Sequence, residues 1–214
     1  MRILLVGGAG TIGRRLRPAL ETGHEILVAG RSSGDVRVDI TSAEAIERMY
    51  RQTPGIDAVV GIAASGALDD FATLTGSRLH ENMKGKFYGQ VDLVLTGQRY
   101  VRPGGSFTLT SGIFADEPAK GVTAGGVISG ALHSFVLSAA LELRGRFRVN
   151  CISPTMVSDS VDAFSAHVPG LSVVPMDELV RHYVHVIEGD ETGRIIRAYG
   201  PEDGPGHAAP EAEH

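Results

Sequence analysis

The sequence has only one cysteine, Cys151, among its 214 residues. A single thiol builds neither a disulfide framework nor a cysteine-based zinc site, so both are excluded. No apolar run reaches the roughly 18 residues that a membrane span needs, so we expect no membrane partner. The net charge of −5 argues against nucleic acid as a partner. The apolar start is too short and glycine-rich for a signal peptide, and a cytoplasmic protein is the remaining expectation.

The composition is that of a globular chain, with 43% hydrophobic and 21% charged residues. The length fits one α/β domain, which we expect to cover residues 1–199. Residues 200–214 are rich in Pro, Gly, Ala and Glu, and this composition predicts a disordered tail.

Short apolar segments alternate with helical patterns along the chain. The predicted strands cover residues 2–6, 25–29, 36–38, 57–62, 106–110, 147–152 and 193–199. The predicted helices cover residues 11–22, 41–52 with Thr41 as the cap, 77–101, 123–143 and 176–188. This order predicts an α/β fold: a doubly wound, mostly parallel, seven-stranded, Rossmann-like sheet with helices on both faces. Ligands of such sheets bind at the carboxyl ends of the strands, so the chemistry is expected there.

A glycine-rich turn follows the first predicted strand. Residues 8–13 match G-x-G-x-x-G, and the turn opens a predicted helix, which is the context that supports a dinucleotide site. Glycines let the backbone approach a pyrophosphate, and the helix N-terminus offers free N–H groups. A glycine-rich turn without a ligand is the alternative. The predicted cofactor-binding residues of the turn are Gly7, Gly8, Gly10, Thr11, Ile12 and Gly13.

The end of the second strand bears on the choice of cofactor. A dinucleotide fold usually has an acid there for the ribose 2′-hydroxyl, but this chain has Gly30, followed by Arg31 and Ser32. An arginine can bind a 2′-phosphate bidentately, and Arg14 is a second candidate for that phosphate. The pattern therefore predicts NADP(H) rather than NAD(H). The alternative is that both arginines are solvated surface charges.

From residue 1 to about residue 199 the sequence resembles the short-chain dehydrogenase/reductase family. Asp39 and Ile40 lie in a V-D-I-T segment that resembles the family's D-[IV]-[ST] element, whose carboxylate contacts adenine. Ala63 and Ala64 end a segment that resembles the strand closing in N-N-A-G. The resemblance implies that all four residues contact the cofactor.

Three more segments carry the same resemblance. Asn82 lies in an N-x-x-G segment like that of the family's long fourth helix, and Ser111 follows a strand like the one that carries the active-site serine. The resemblance makes these two residues the predicted catalytic centre. The R-V-N-C-I-S-P segment resembles the family's R-V-N-x-x-x-P-G. It implies cofactor contacts from Pro154, Thr155 and Val157.

The family's catalytic Y-x-x-x-K pair has no counterpart. The G-A-L at residues 130–132 sets the register, which puts Gly125 at the tyrosine position and Ser129 at the lysine position. No tyrosine or lysine occurs in residues 121–143, so sliding the alignment restores neither. In the family the tyrosine passes the proton while hydride moves, and a serine hydroxyl is a poor proton source at neutral pH.

Three interpretations of the missing pair remain open. The acceptor needs little help, as a quinone or an enone would; a replacement acid exists; or the protein only binds NADP(H) and acts as a sensor or regulator. His133 and Lys86 are the speculative replacement acids, with an ordinary packed histidine and a surface or ion-paired lysine as the alternatives. Further candidates in the predicted substrate loop are Asp159, Asp162 and His167. The favoured reading is an oxidoreductase acting on a small carbonyl, enone or quinone-type substrate.

Two further expectations concern surfaces. Residues 157–175 are expected to form an apolar wall over the nicotinamide, through Ala163, Phe164, Val168, Leu171 and Val174. Residues 77–101 and 123–143 resemble the helices that the family uses for dimerisation, and the second is apolar on all sides, so both its sides are predicted to be buried. We therefore predict a homodimer or homotetramer.

Overall fold

The computed structural model describes residues 1–62, 69–165 and 168–200, with the backbone alone for residues 163 and 164. The strands are β1 (Arg2–Val6), β2 (Glu25–Gly30), β3 (Val36–Arg37), β4 (Ala58–Gly61), β5 (Ser106–Thr110), β6 (Arg148–Pro154), β7 (Met156–Val157), β8 (Val173–Val174) and β9 (Ile195–Ala198). The helices are α1 (Thr11–Glu21), α2 (Ala43–Gln52), α3 (Gly76–Met83), α4 (Gln90–Gly97), α5 (Thr123–Glu142), α6 (Val161–Phe164) and α7 (Met176–Glu188). Of the predicted tail, residues 201–214 lie outside the described residues.

The main sheet has seven strands in the order β3-β2-β1-β4-β5-β6-β9, and every neighbouring pair is parallel. The predicted doubly wound α/β fold is therefore confirmed. The order reverses beside β1, which pairs with β2 on one side and β4 on the other, so a crevice opens at the carboxyl ends of these strands. A second, two-stranded sheet joins β7 to β8. The sequence reading missed it because strands of two residues carry no periodic signal.

The strands separate two apolar cores, as alternation of side chains across a sheet requires. On one face Leu4, Val59 and Phe107 pack against α2, α4 and α5. On the other face Ile3 and Val60 pack against α1 and α7. Helices therefore cover both faces of the sheet, which leaves its carboxyl edge as the open end.

The helix predicted for residues 77–101 is interrupted. A π-helical segment, Lys84–Gly89, lies between α3 and α4, and α4 ends at Gly97 rather than at residue 101. The cap of α2 also differs from the prediction. The Ser42 hydroxyl accepts a hydrogen bond from the Ala45 N–H, whereas the Thr41 hydroxyl donates to Asp39.

Helix α5 corrects two expectations. By length and composition alone this 20-residue helix could cross a membrane, because 18 consecutive residues of it have a mean hydropathy of 1.5. In the structure 44% of these 18 residues are buried, and Leu132 and Val136 belong to the core beside the sheet. Its outer side is exposed at Val127, Leu137 and Leu141, so the chain alone does not bury both sides. The features are those of a core helix with an apolar outer face.

Candidate active site

The glycine turn between β1 and α1 is held in a tight conformation. Gly7 has a φ of 95° and donates its N–H to the Ala29 carbonyl at 2.8 Å. A Cβ on Gly13 would lie 2.5 Å from the Gly8 Cα, so only glycine allows the helix to start this close to the turn. Gly10 caps α1 without a side-chain hydrogen bond. The N–H groups of the first turn are therefore left for a ligand, with the positive end of the helix dipole behind them.

A cleft of about 840 Å³ extends from this turn along the carboxyl edge of the sheet. The predicted site residues that line it are Gly7, Gly10, Thr11, Ile12, Gly13, Arg31, Ser32, Asp39, Ile40, Lys86, Ser111, Pro154, Thr155 and Val157. Of the other predicted cofactor-binding and catalytic residues, Gly8, Arg14, Asn82 and His133 are described and lie outside the lining. Ala63, Ala64 and His167 lie outside the described residues.

At one end of the cleft Arg31 lies next to Gly30, a position where a side chain would clash with the backbone. A Cβ on Gly30 would lie 2.7 Å from the Ser33 carbonyl oxygen, so a carboxylate there would displace the loop. Arg31 is exposed and lines the cleft. The Asp39 carboxylate accepts hydrogen bonds from the N–H and hydroxyl of Thr41 at 3.0 and 2.8 Å. These bonds and the nearby charge of Arg31 lower the pKa of Asp39.

The inner end of the cleft contains a serine–histidine pair. Ser111 follows β5, and its N–H donates to the Ile152 carbonyl at 2.9 Å, which fixes its backbone. Its Oγ lies 2.8 Å from Nε2 of His133, and the tautomer decides which group donates. His133 lies behind the serine on α5. Burial lowers the pKa of His133, against the opposite effect of the Asp116 carboxylate.

A charged network lies beside this histidine. Arg197 donates to both oxygens of Asp116 at 2.8 and 3.1 Å, and the Tyr199 hydroxyl donates to one of them at 2.6 Å. Burial alone would raise the pKa of Asp116, but these hydrogen bonds lower it, so the carboxylate stays charged. The sequence reading missed all three residues. Asp116 is more than 80 positions from its two partners, and no local pattern joins them.

Lys86 approaches the serine from the π-helical segment. Its Nζ lies 3.9 Å from the point that a Gly112 Cβ would occupy, next to Ser111 in the chain. Burial lowers the pKa of Lys86. Within the described part of the chain, Nζ has neither a hydrogen-bond acceptor nor a carboxylate within ion-pair distance. Lys86 is therefore neither a fully exposed nor an ion-paired lysine.

Gln90 fixes this segment to the end of β5. Its Nε2 donates to the carbonyls of Lys86 and Thr110 at 2.7 and 2.9 Å, and its Oε1 accepts from the Thr110 N–H at 2.8 Å. Gln90 is fully buried. Asn82, by contrast, has a buried side-chain nitrogen with no partner in the described structure. The π-helical segment begins two residues after Asn82, which places Lys86, rather than the asparagine, at the cleft.

Gly125 and Ser129, at the positions of the family's tyrosine and lysine, lie at the cleft near Phe114. A Cβ on Gly125 would lie 3.5 Å from the Phe114 ring, and Phe114 lines the cleft beside Gly125 and Ser129. The described residues of the lining include no tyrosine. Of the predicted substrate wall, Val168 and Leu171 line the cleft.

The remaining loop candidates lie elsewhere. Val174 is buried outside the lining, and Asp159 pairs with Arg15 at 3.6 Å. Asp162 is exposed and is not part of the lining. The side chains of Ala163 and Phe164 lie outside the described part. The described residues contain no cluster of His, Cys, Asp or Glu that could hold a metal ion.

Comparison with known proteins places this architecture in a family. A family model described as enoyl-(acyl carrier protein) reductase matches residues 11–172. The protein lin1944 from Listeria innocua is 35% identical, with 93% of this chain and 100% of that chain covered and a TM-score of 0.90. The search of curated proteins gave no significant match.

Two dehydrogenase structures share the same architecture. One small-chain dehydrogenase is 25% identical, with coverage of 94% and 96% and a TM-score of 0.80. Another, solved in complex with NADPH, is 23% identical, with coverage of 94% and 97% and a TM-score of 0.81, which shows a shared fold. The family model spans most of the chain. The chain therefore belongs to the short-chain dehydrogenase/reductase family, whose members are generally oxidoreductases.

Proposed function

We propose that this protein is an NADP(H)-dependent oxidoreductase that acts on a small carbonyl, enone or quinone-type substrate, in the cytoplasm. The observation that carries the proposal is one continuous cleft, which connects the glycine turn to the Ser111–His133 pair. A reduced nicotinamide supplies hydride to such an acceptor, which leaves negative charge on the acceptor's oxygen. The chain must bind the nucleotide, orient the acceptor and deliver a proton to that oxygen.

The cleft fits a phosphorylated dinucleotide at its outer end. The free N–H groups at the start of α1 suit a pyrophosphate, and Asp39 and Ile40 suit an adenine. Arg31 supplies positive charge, and the neighbouring Gly30 has no carboxylate that would repel a 2′-phosphate. These features support NADP(H) over NAD(H).

Arg31→Asp tests this preference. The substitution replaces attraction of the 2′-phosphate by repulsion, so the Kd for NADPH should rise about 10- to 100-fold while that for NADH changes less than about threefold. Titration of cofactor fluorescence measures both constants. Arg37→Asp, the same charge change on an exposed residue outside the cleft, is the control. Tighter binding of NADH than NADPH by the unaltered protein would reject the preference.

The Ser111–His133 pair offers a route for the proton in place of the missing tyrosine. Ser111 lines the cleft, and His133, which does not line it, is hydrogen-bonded to the serine hydroxyl. In the direction of reduction Ser111 gives its proton to the acceptor's oxygen and takes one from the protonated His133. In the direction of oxidation neutral His133 receives the proton. His133 thus performs general acid–base work through the serine.

This route predicts the pH dependence. Because burial lowers the pKa of His133, its neutral form predominates at pH 7. The rate of NADPH-dependent reduction should therefore rise as the pH falls from about 8 to about 6, and the oxidative rate should fall over the same range. Steady-state rates across this range measure the effect. His133→Gln keeps a hydrogen-bonding side chain but should flatten both profiles; profiles that persist in this variant would assign the proton to another group.

A regulatory protein that binds NADP(H) without turnover is the second candidate. Gly125 and Ser129 at the family's tyrosine and lysine positions favour it. NADPH oxidation against a panel of quinones, enones and ketones distinguishes the two. Turnover of any acceptor, at a rate that Ser111→Ala lowers, supports the enzyme; tight NADPH binding with no turnover supports the regulator.

The outer faces of α4 and α5 support the predicted homodimer or homotetramer. Both helices lie on the same face of the sheet, and the exposed apolar residues on them are Leu95, Val127, Leu137 and Leu141. A two-fold pairing would cover this surface. Light scattering should then give a multiple of 22.6 kDa. Leu137→Glu combined with Leu141→Glu should raise the dissociation constant about 100-fold, and a monomeric unaltered protein would reject the assignment.

A further inference from the structure

The amine of Lys86 is a cation with no counter-ion at the inner end of the cleft. The described part of the chain places no carboxylate within 4.0 Å of it. Lys84, two residues earlier, is by contrast exposed and pairs with Glu81 at 2.7 Å. Lys86 is half-buried where it lines the cleft, and a partly desolvated cation without a counter-ion favours a ligand that supplies the opposite charge.

The surroundings of this amine identify the kind of ligand. Lys86 Nζ and Ser129 Oγ lie 3.9 and 3.5 Å from the point that a Gly112 Cβ would occupy. Glycine at that position leaves space between the two groups, and the Ser111 hydroxyl belongs to the adjacent residue. A cation and a hydroxyl group therefore border one small space next to Ser111. Such a set favours an oxygen that carries negative charge over a neutral one.

The backbone holds the amine in this place. The Gln90 side chain bonds the Lys86 carbonyl and both backbone groups of Thr110, so the π-helical segment and the residue before Ser111 are fixed to each other. Segments of π-helix occur often at functional sites, since the inserted residue redirects a side chain. The position of Lys86 relative to Ser111 is thus set by buried hydrogen bonds and not by a flexible loop.

We propose that Lys86, with Ser111, forms a subsite for an anionic oxygen of the substrate. That the ligand is a substrate rests on the proposed function. The subsite itself does not need bound nucleotide. The anionic oxygen has two possible sources: a carboxylate that the substrate already carries, or the enolate or phenolate oxygen of an enone or quinone-type acceptor after reduction. In either case Lys86 selects compounds by charge.

Binding of 4-nitrophenol tests the subsite without any turnover. Its phenolate absorbs visible light, so a spectrophotometric titration of the full chain, without added nucleotide, gives the pKa of the bound phenol. That pKa should be lower than in free solution by about one unit, a tenfold preference for the phenolate. Lys86→Met should abolish the shift, and Lys86→Arg should retain it. Lys84→Met removes an exposed lysine of the same segment and should have no effect.

A second arm distinguishes the two sources of the oxygen. Benzoate and its neutral isostere benzamide are titrated against the same variants by calorimetry. Benzoate binding that needs Lys86 and exceeds benzamide binding about tenfold supports a carboxylate substrate; a phenolate shift without benzoate binding supports the enolate or phenolate. Equal behaviour of the unaltered protein and Lys86→Met with every probe would overturn the proposal, as would no binding of any probe. NADPH titration of the same samples tests the proposed function separately.

Discussion

Ser111→Ala should lower kcat for NADPH-dependent reduction by about 100-fold or more, while the Kd for NADPH changes less than about threefold. Ser111 lines the cleft, and its hydroxyl is hydrogen-bonded to His133. Its removal leaves the imidazole separated from the acceptor by the space of the missing oxygen. Steady-state kinetics with an acceptor from the panel and a fluorescence titration of NADPH measure the two constants.

Two variants complete this experiment. Ser134→Ala removes an exposed hydroxyl from the residue next to His133 and should leave kcat unchanged. Ser111→Thr retains the hydroxyl and should recover part of the rate. A Ser111→Ala protein that reduces the acceptor at the original rate would show that the proton comes from elsewhere. A parallel loss of NADPH binding would instead assign Ser111 a structural role, since its N–H also holds the Ile152 carbonyl.

The glycine turn was predictable from sequence because all its determinants are local. A strand, three glycines and a helix follow one another, and the close approach of Gly13 to Gly8 is a property of that short segment. The parallel sheet was predictable for a related reason: alternating strands and helices leave few topologies, and crossovers of one hand select among them. The missing acid and the arginine at the end of β2 were also visible in the local sequence. The clash that a side chain on Gly30 would make with the Ser33 carbonyl is visible only in the structure.

The arrangement around Ser111 was less predictable because helical periodicity assumes a regular helix. Asn82 and Lys86 are four residues apart, which in an α-helix places both on one side. The π-helical segment changes the turn per residue between them, so Lys86 lines the cleft and Asn82 does not. No residue type in the K-G-K-F-Y-G segment signals this change, because π-turns depend on what the surrounding structure can bond.

Contacts between distant segments were not predictable at all. His133 reaches Ser111 across 22 residues, and Asp116 reaches Tyr199 across 83. Each pair needs the relative position of a helix or loop and a strand end, which depends on packing over the whole sheet. The sequence suggested His133 and Lys86 as candidates, but only the structure separates their positions. His133 is hydrogen-bonded to Ser111 outside the cleft lining, and Lys86 lines the cleft.

Gln90→Leu should lower the free energy of unfolding by about 3 kcal/mol. Leucine is similar in size but leaves the Thr110 N–H and the carbonyls of Thr110 and Lys86 without the partner that the glutamine provides. Each unpaired buried group costs about 1–3 kcal/mol, partly offset by the apolar side chain. For a chain of this length the melting temperature should fall by roughly 6–12 °C, measurable by calorimetry or circular dichroism.

Gln90 differs from an ordinary core residue because its loss should also affect the Lys86 subsite. Because Gln90 ties the Lys86 segment to the end of β5, its loss should also remove the phenolate pKa shift at temperatures where the variant remains folded. Gln98→Leu, a half-buried position after α4 whose side chain makes one long hydrogen bond to the Leu95 carbonyl, should change stability by less than about 0.5 kcal/mol and leave the shift intact. If Gln90→Leu lost stability but kept the shift, Lys86 would be positioned by its helix alone, without the bridge to Thr110.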